Sequence, residues 1–244
     1  MDGYMRTNAK QILDELKSRA NPRNVEGMAR FGINPKNALG ISVTELRKVA
    51  RPIGKSHSLA QQLWGSGVHE AKILAAIIDE PSKVTEQQME AWVGDFDSWD
   101  ICDQACTCLF DRTPYAIEKA VEWSHRKEEF VKRAGFVLMA GLAVHDKTAS
   151  NEVFMSFFDH VKRESCDDRK YVMKAVNWAL RQIGKRNQIL NKEAIRIATE
   201  ISGIDSRSAK WVASDALREL RGEAVQRRLR SRPPAARPER HQQS

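Results

Sequence analysis

Trp99 and Asp103 stand four residues apart in SWDICDQ, so on a helix they share one face. A second tryptophan, Trp178, lies amid cations. When YVMKAVNWALRQIGK is wound at about 100° per residue, Lys174, Arg181 and Lys185 fall around it, away from the apolar side. Arg133 stands in a third segment, FVKRAGFVLMA, at the edge of its apolar face. A carboxylate beside indole rings suits a transient cation, because indole faces attract positive charge and the carboxylate stabilises it. Such a charge develops on a sugar when its bond to a base breaks, and the same carboxylate can orient the attacking water. A base already made cationic by ring alkylation leaves neutral and needs no acid. No lysine is placed for Schiff-base chemistry, so simple hydrolysis fits better, with the remaining cations holding phosphates.

Helices must position these residues. Apolar residues recur at three and four, as in Ile12, Leu13 and Leu16 or Ile73, Ala76 and Ile77, and no sustained alternation marks a strand. Breaks fall at short polar or Gly/Pro stretches such as GINPKNALG, GSGVHE, GDFDS and VHDKTAS. Five segments pair one helix with a second that opens after a polar turn, near His69, Ser98, Phe130, Tyr171 and Lys210. Three of these share a charged residue followed by Ala: Glu70–Ala71, Arg133–Ala134 and Lys174–Ala175. The interval of roughly 30–40 residues is that of helical-hairpin repeats such as HEAT. The expected fold is therefore all-α, a curved α-solenoid whose second helices line a concave basic groove.

Each candidate has a plain alternative. Trp178 can pack on a neighbouring repeat or stack on a ligand. Asp103, in the first turns of a helix capped by Asp97 or Ser98, is expected to be ionised, and it is either solvated or functional. Arg133 is a salt-bridge partner for Glu128 or Glu129, or a phosphate ligand. Trp211 and Asp215 repeat the Trp-x-x-x-Asp spacing, so that spacing alone is weakly specific.

Composition narrows the function classes. The formal net charge is +8, pointing to a polyanionic partner. From Gly222 to Ser244, six arginines stand against Glu223 and Glu239, a net of +4. That stretch has few large apolar residues, so 222–244 reads as a disordered Arg/Pro-rich tail, with 1–221 as one domain. No apolar run approaches a membrane span and the N-terminus has no apolar signal core, so a cytoplasmic location is expected, nucleoid-associated in a bacterium. Cys102, Cys106, Cys108 and Cys166 form no CxxC pair or zinc set, and read as free thiols.

SWDICDQ, then FVKRAGFVLMA, then YVMKAVNWALR resemble the AlkD-like family of DNA alkylation repair proteins, the HEAT-like-repeat DNA glycosylases. MARFGI, TELRKVA, LWGSGVHEAKILAAI and KWVASDALRELR extend the likeness over most of residues 5–221. The interval from Asp103 to Arg133 is shorter than the family pattern, which points to a trimmed loop near residues 111–127. The resemblance implies a base excision repair glycosylase that removes cationic N3- and N7-alkylpurines from double-stranded DNA, as a monomer without metal or cofactor. It matches the catalytic residues to Trp99, Asp103 and Trp178, and the phosphate-holding arginine to Arg133. Lys174, Arg181 and Lys185 would extend contacts to the DNA backbone. The rival expectation is a non-catalytic solenoid that binds nucleic acid or a protein.

Overall fold

The computed structural model describes residues 8–231, and among these every regular element is helical. The first helices are α1 (Ala9–Ser18), α2 (Pro22–Arg30), α3 (Val43–Ile53), α4 (His57–Gly65) and α5 (His69–Ile78). Next come α6 (Glu86–Gly94), α7 (Trp99–Cys108), α8 (Ala116–Ser124), α9 (Glu129–His145) and α10 (Asn151–Glu164). The last four are α11 (Lys170–Gly184), α12 (Gln188–Ser202), α13 (Arg207–Leu220) and α14 (Glu223–Arg230).

Local chemistry sets many of the helix starts. Asn8 and Gln11 form a capping box on α1. Ser42, Thr85, Asn187 and Ser206 each accept a first-turn N–H with their side chain. Ser98 stands at the N-cap of α7 but makes no cap bond; its hydroxyl accepts the Asn34 N–H instead, at 2.9 Å. That departs from the expected cap and ties α7 to the loop between α2 and α3.

Helices α3, α5, α7, α9, α11 and α13 pack successively in one row, the second helices expected from the repeats. The hairpins α4–α5, α8–α9, α10–α11 and α12–α13 place their first helices behind that row. Helix α9 sits in the middle and is buried almost all round from Val131 to Ala143, as expected of a helix that is apolar on every side. Gly135 lets α8 approach it: a Cβ there would lie 2.5 Å from the Ser124 nitrogen. Trp64 and Trp92 stack with ring centroids 3.8 Å apart inside the core, and Trp123 is fully buried. The row curves enough for the Tyr171 hydroxyl of α11 to donate to the Gly32 carbonyl of the α2–α3 loop, 3.2 Å away.

The proposed tail boundary moves. Residues 223–230 form α14, whose Leu229 is 2 % exposed. The Gln188 amide donates to the Leu229 carbonyl, and the Gln226 amide donates to Leu220 O and Asn191 Oδ1. Val225 and Leu229, one turn apart, give this short stretch the apolar stripe that the arginines obscure in composition. The remainder of the tail, 232–244, lies outside the described residues.

Candidate nucleic-acid interface and active site

Asp103 and Arg133 meet across α7 and α9. Arg133 Nε donates to Asp103 Oδ1 at 2.9 Å and Nη2 to Oδ2 at 2.8 Å, a bidentate pair. Its remaining nitrogen, Nη1, donates to the Tyr171 carbonyl at 2.6 Å. Arg133 is only 5 % exposed, so it is held by protein on three sides. It bonds neither of the glutamates expected as ion-pair partners, nor does it stand open to solvent as a phosphate ligand would. The single-helix projection placed it at the edge of a core face; only packing against α7 supplied its partner.

Burial pushes the Asp103 carboxyl above the ordinary aspartate range, and the Arg133 guanidinium acts in the opposite direction. An arginine keeps its charge, and two of its N–H donors on the two oxygens require a carboxylate that accepts both. Asp103 is therefore ionised in this pair. A carboxylate has about four lone-pair sites, and the bidentate contact uses two of them. The Asp103 side chain keeps 15 % of its surface exposed, so the pair is not sealed in the core.

The loop from Phe31 to Asn34 edges this pair, and sequence reasoning missed it. Trp99 Nε1 donates to the Phe31 carbonyl at 3.2 Å, and the Tyr171 hydroxyl holds the Gly32 carbonyl. Asn34 donates its side-chain amide to Asp97 Oδ2 at 2.6 Å. Gly32 has φ +77°, and a Cβ there would lie 1.7 Å from the Tyr171 hydroxyl oxygen, so both conformation and space demand glycine. Farther along, the buried Glu70 carboxylate accepts the backbone N–H groups of Leu39, Gly40 and Ile41 at 2.7–3.2 Å, anchoring the return of the loop. The available signal was the GINPKNALG break following an aromatic: Phe31 is 74 % exposed despite its size.

His69, at the start of α5, lies 2.8 Å from Asp100 in the first turn of α7. Burial disfavours its charge, but the Asp100 bond and the carboxylates of Glu70 and Asp97 outweigh this and raise its pKa above the usual histidine value.

The tryptophans and cations distribute unevenly. Trp99 is half-buried beside Asp103 in sequence and fold. Trp178 is also half-buried and packs against the core on one side, so the neighbour-packing alternative describes part of its surface. Of the three cations expected around it, Lys174 is exposed and has no ion-pair partner among the described residues. Arg181 and Lys185 depart from the open basic face that the sequence predicted. Arg181 pairs with Glu219 at 2.5 Å and lies 3.6 Å from Asp215; Lys185 pairs with Glu219 at 2.6 Å. Helix α13 brings these acids, and a projection of α11 alone contains no trace of them.

The matching family model describes a DNA alkylation repair enzyme and covers residues 12–220. The chain belongs to this family. Among curated proteins it is similar to the uncharacterized protein Lin0241 of Listeria innocua, 24 % identical over 130 residues. That match takes in 52 % of this chain and 58 % of the relative, so the chain spans little more than half of the relative's length. A solved structure superimposes with a TM-score of 0.77 at 18 % identity, covering 91 % of this chain and 96 % of the other. That protein is described as representing a new family related to the HEAT-like repeat DNA glycosylases, with affinity for branched DNA structures. At this identity the likeness establishes the fold, a HEAT-like solenoid.

Within this family member, one ionised carboxylate is held by two hydrogen bonds from a buried arginine and shares its helix face with an indole. Chemically, it can accept a proton from water, hold that water, or lie against a developing positive charge. Among the described residues no group of three His, Cys, Asp or Glu side chains is arranged to hold a metal ion.

Proposed function

We propose that this protein is a DNA glycosylase acting on duplex DNA that carries cationic N3- or N7-alkylated purines. The observation that carries this reading is the Asp103 carboxylate, clamped bidentate by the buried Arg133 yet partly open, beside Trp99 on the inner helix row. A plain DNA binder gains nothing from a negative charge fixed in this way, because it repels phosphates.

In the proposed reaction the bond between C1′ and the purine nitrogen breaks, and its electron pair neutralises the cationic base. Positive charge grows on the sugar, where Asp103 stabilises it. Water then adds to C1′ and loses a proton to Asp103 or solvent. Trp99 and Trp178 border the lesion and favour cationic species. Arg133 is assigned a role different from phosphate holding: it positions Asp103 and keeps it ionised. Lys174 contributes a backbone contact.

A second reading has one observation in its favour. Both Asp103 oxygens are already bonded to Arg133, as a purely structural ion pair would be, and the protein of similar fold is described by its affinity for branched DNA. Under that reading the chain binds DNA without chemistry.

Release of 7-methylguanine from methylated duplex DNA by wild type and by Asp103→Asn separates the two. Glycosylase action requires release by wild type and a fall of about 100-fold or more in the variant, the scale for removing a preorganised charge. Thermal melting and DNA affinity of the variant establish that it folds and binds. If both proteins bind DNA and neither frees base, the binding-only reading stands.

A further inference from the structure

A second charged feature lies on the same helix row, one repeat before the Asp103 site. A cavity of about 690 Å³ opens between α3, α5 and α7, lined by Arg47, Lys48, Arg51, Lys55 and Arg112 around a floor that includes Ile77 and Cys108. Among the described residues, five cations and no carboxylate line it. This is the opposite of the α11–α13 face, where Glu219 neutralises two cations.

Its donors are mostly uncommitted. Arg47 and Arg51 are one turn apart on α3, exposed, and without an ion-pair partner among the described residues. Arg112 is half-exposed, with only a 3.9 Å approach to Asp111. Two of the five are already engaged. Lys48 pairs with Glu45 at 2.5 Å, and Lys55 donates to the Ile77 and Asp79 carbonyls at 2.8 Å each. Burial lowers the Lys55 pKa and repulsion from Arg112 lowers it further, against the smaller opposing pull of Asp79 and Glu80. Such a gathering is unfavourable in the free protein and is relieved by a polyanion. Guanidinium forks match phosphate oxygens bidentately.

Helix α7 joins the two places. Cys108 borders the cavity, and Asp103 lies five residues earlier, about 7.5 Å along the axis. That separation is small beside the length of a duplex, so one DNA lying along the helix row can span both places. We infer that the α3–α5–α7 cavity is an anchor site for the DNA sugar-phosphate backbone, with Arg47, Arg51 and Arg112 as the phosphate ligands. The inference rests on the DNA-binding part of the proposed function, not on its catalytic part.

The test is fluorescence anisotropy of the full chain with a labelled duplex of about 20 base pairs, titrated over a range of salt. Replacing both arginines (Arg47→Ala with Arg51→Ala) is expected to weaken binding roughly tenfold near 0.1 M salt. The slope of log affinity against log salt should fall by about two, close to one per phosphate contact. Lys48→Ala, which removes a cation already paired, should change both by much less. Both arginines are exposed, so unchanged thermal melting is expected. A double variant with wild-type affinity and slope overturns the inference, even if Asp103-dependent base release is observed. Loss of affinity in the double variant upholds it, even if no base is released and the catalytic reading fails. Absence of DNA binding by wild type overturns both.

Discussion

Two segments of this chain share the Trp-x-x-x-Asp spacing and meet different fates. On α7, Trp99 is half-buried with its indole N–H bonded to Phe31, and Asp103 is clamped by an arginine that is itself buried. On α13, Trp211 is 40 % exposed, and Asp215 pairs with Arg218 on the helix surface and lies near Arg181. The two aspartates have similar side-chain exposure, so burial alone does not separate them. What differs is the partner. Arg133 is fixed by a third bond, to the Tyr171 carbonyl, whereas Arg218 is largely solvated. A middle position in the row gives α7 a buried helix on which to lock its carboxylate; α13 is the last helix of the row and has only the short α14 beyond it.

The largest contrast is expected in catalysis. Asp103→Asn should reduce 7-methylguanine release at least 100-fold, while Asp215→Asn stays within about twofold of wild type. Equal losses would show that the surroundings of the two aspartates do not matter. Stability should divide the same way. Arg133→Ala leaves a buried carboxylate unpaired and should cost about 3–5 kcal/mol in urea denaturation. Arg218→Ala removes a surface pair and should cost less than about 1 kcal/mol.

The support around α7 should carry a pH signature. The His69 pKa is raised in the fold, so the charged His69–Asp100 pair contributes stability that is complete below the unfolded histidine pKa of about 6.5 and disappears as pH rises through the folded value. The stability gap between wild type and His69→Gln should therefore be wider at about pH 6 than at about pH 9. A gap that widens with pH would reverse the assignment. The smallest effect concerns the cations of α11. Lys174→Ala should lower the salt slope of DNA binding by about one, and Arg181→Ala by less, because Glu219 and Asp215 already engage Arg181.

Much of the scaffold was legible from the chain itself. The apolar set of α11, Val172, Ala175, Val176, Ala179, Leu180 and Ile183, is buried as its spacing predicts. The second helices open where polar turns place them, within three residues even for α13. The site was readable only in part. Trp99 as the helix-face neighbour of Asp103 follows from spacing. An ionised Asp103 is expected from the helix N-terminus, but burial raises its pKa and it is Arg133 that holds the charge, a partner 30 residues away on another helix that the sequence does not show. The α2–α3 loop escaped because its bonds to Trp99 and Tyr171 run through backbone carbonyls, which every residue possesses. Helix α14 escaped because its arginines dominate composition while two apolar residues decide its packing.

Periodicity along the chain alone determined an all-helical stack and which side of each helix faces inward, because that information repeats every few residues. The tertiary structure alone decided which charges are neutralised and which stay open. Arg133, Arg181 and Lys185 found acids on neighbouring helices, while among the described residues Arg47 and Arg51 did not. The reason is physical: burial follows from a residue's own helix, but the state of a charge depends on groups a few ångströms away in space, and these come from distant parts of the chain.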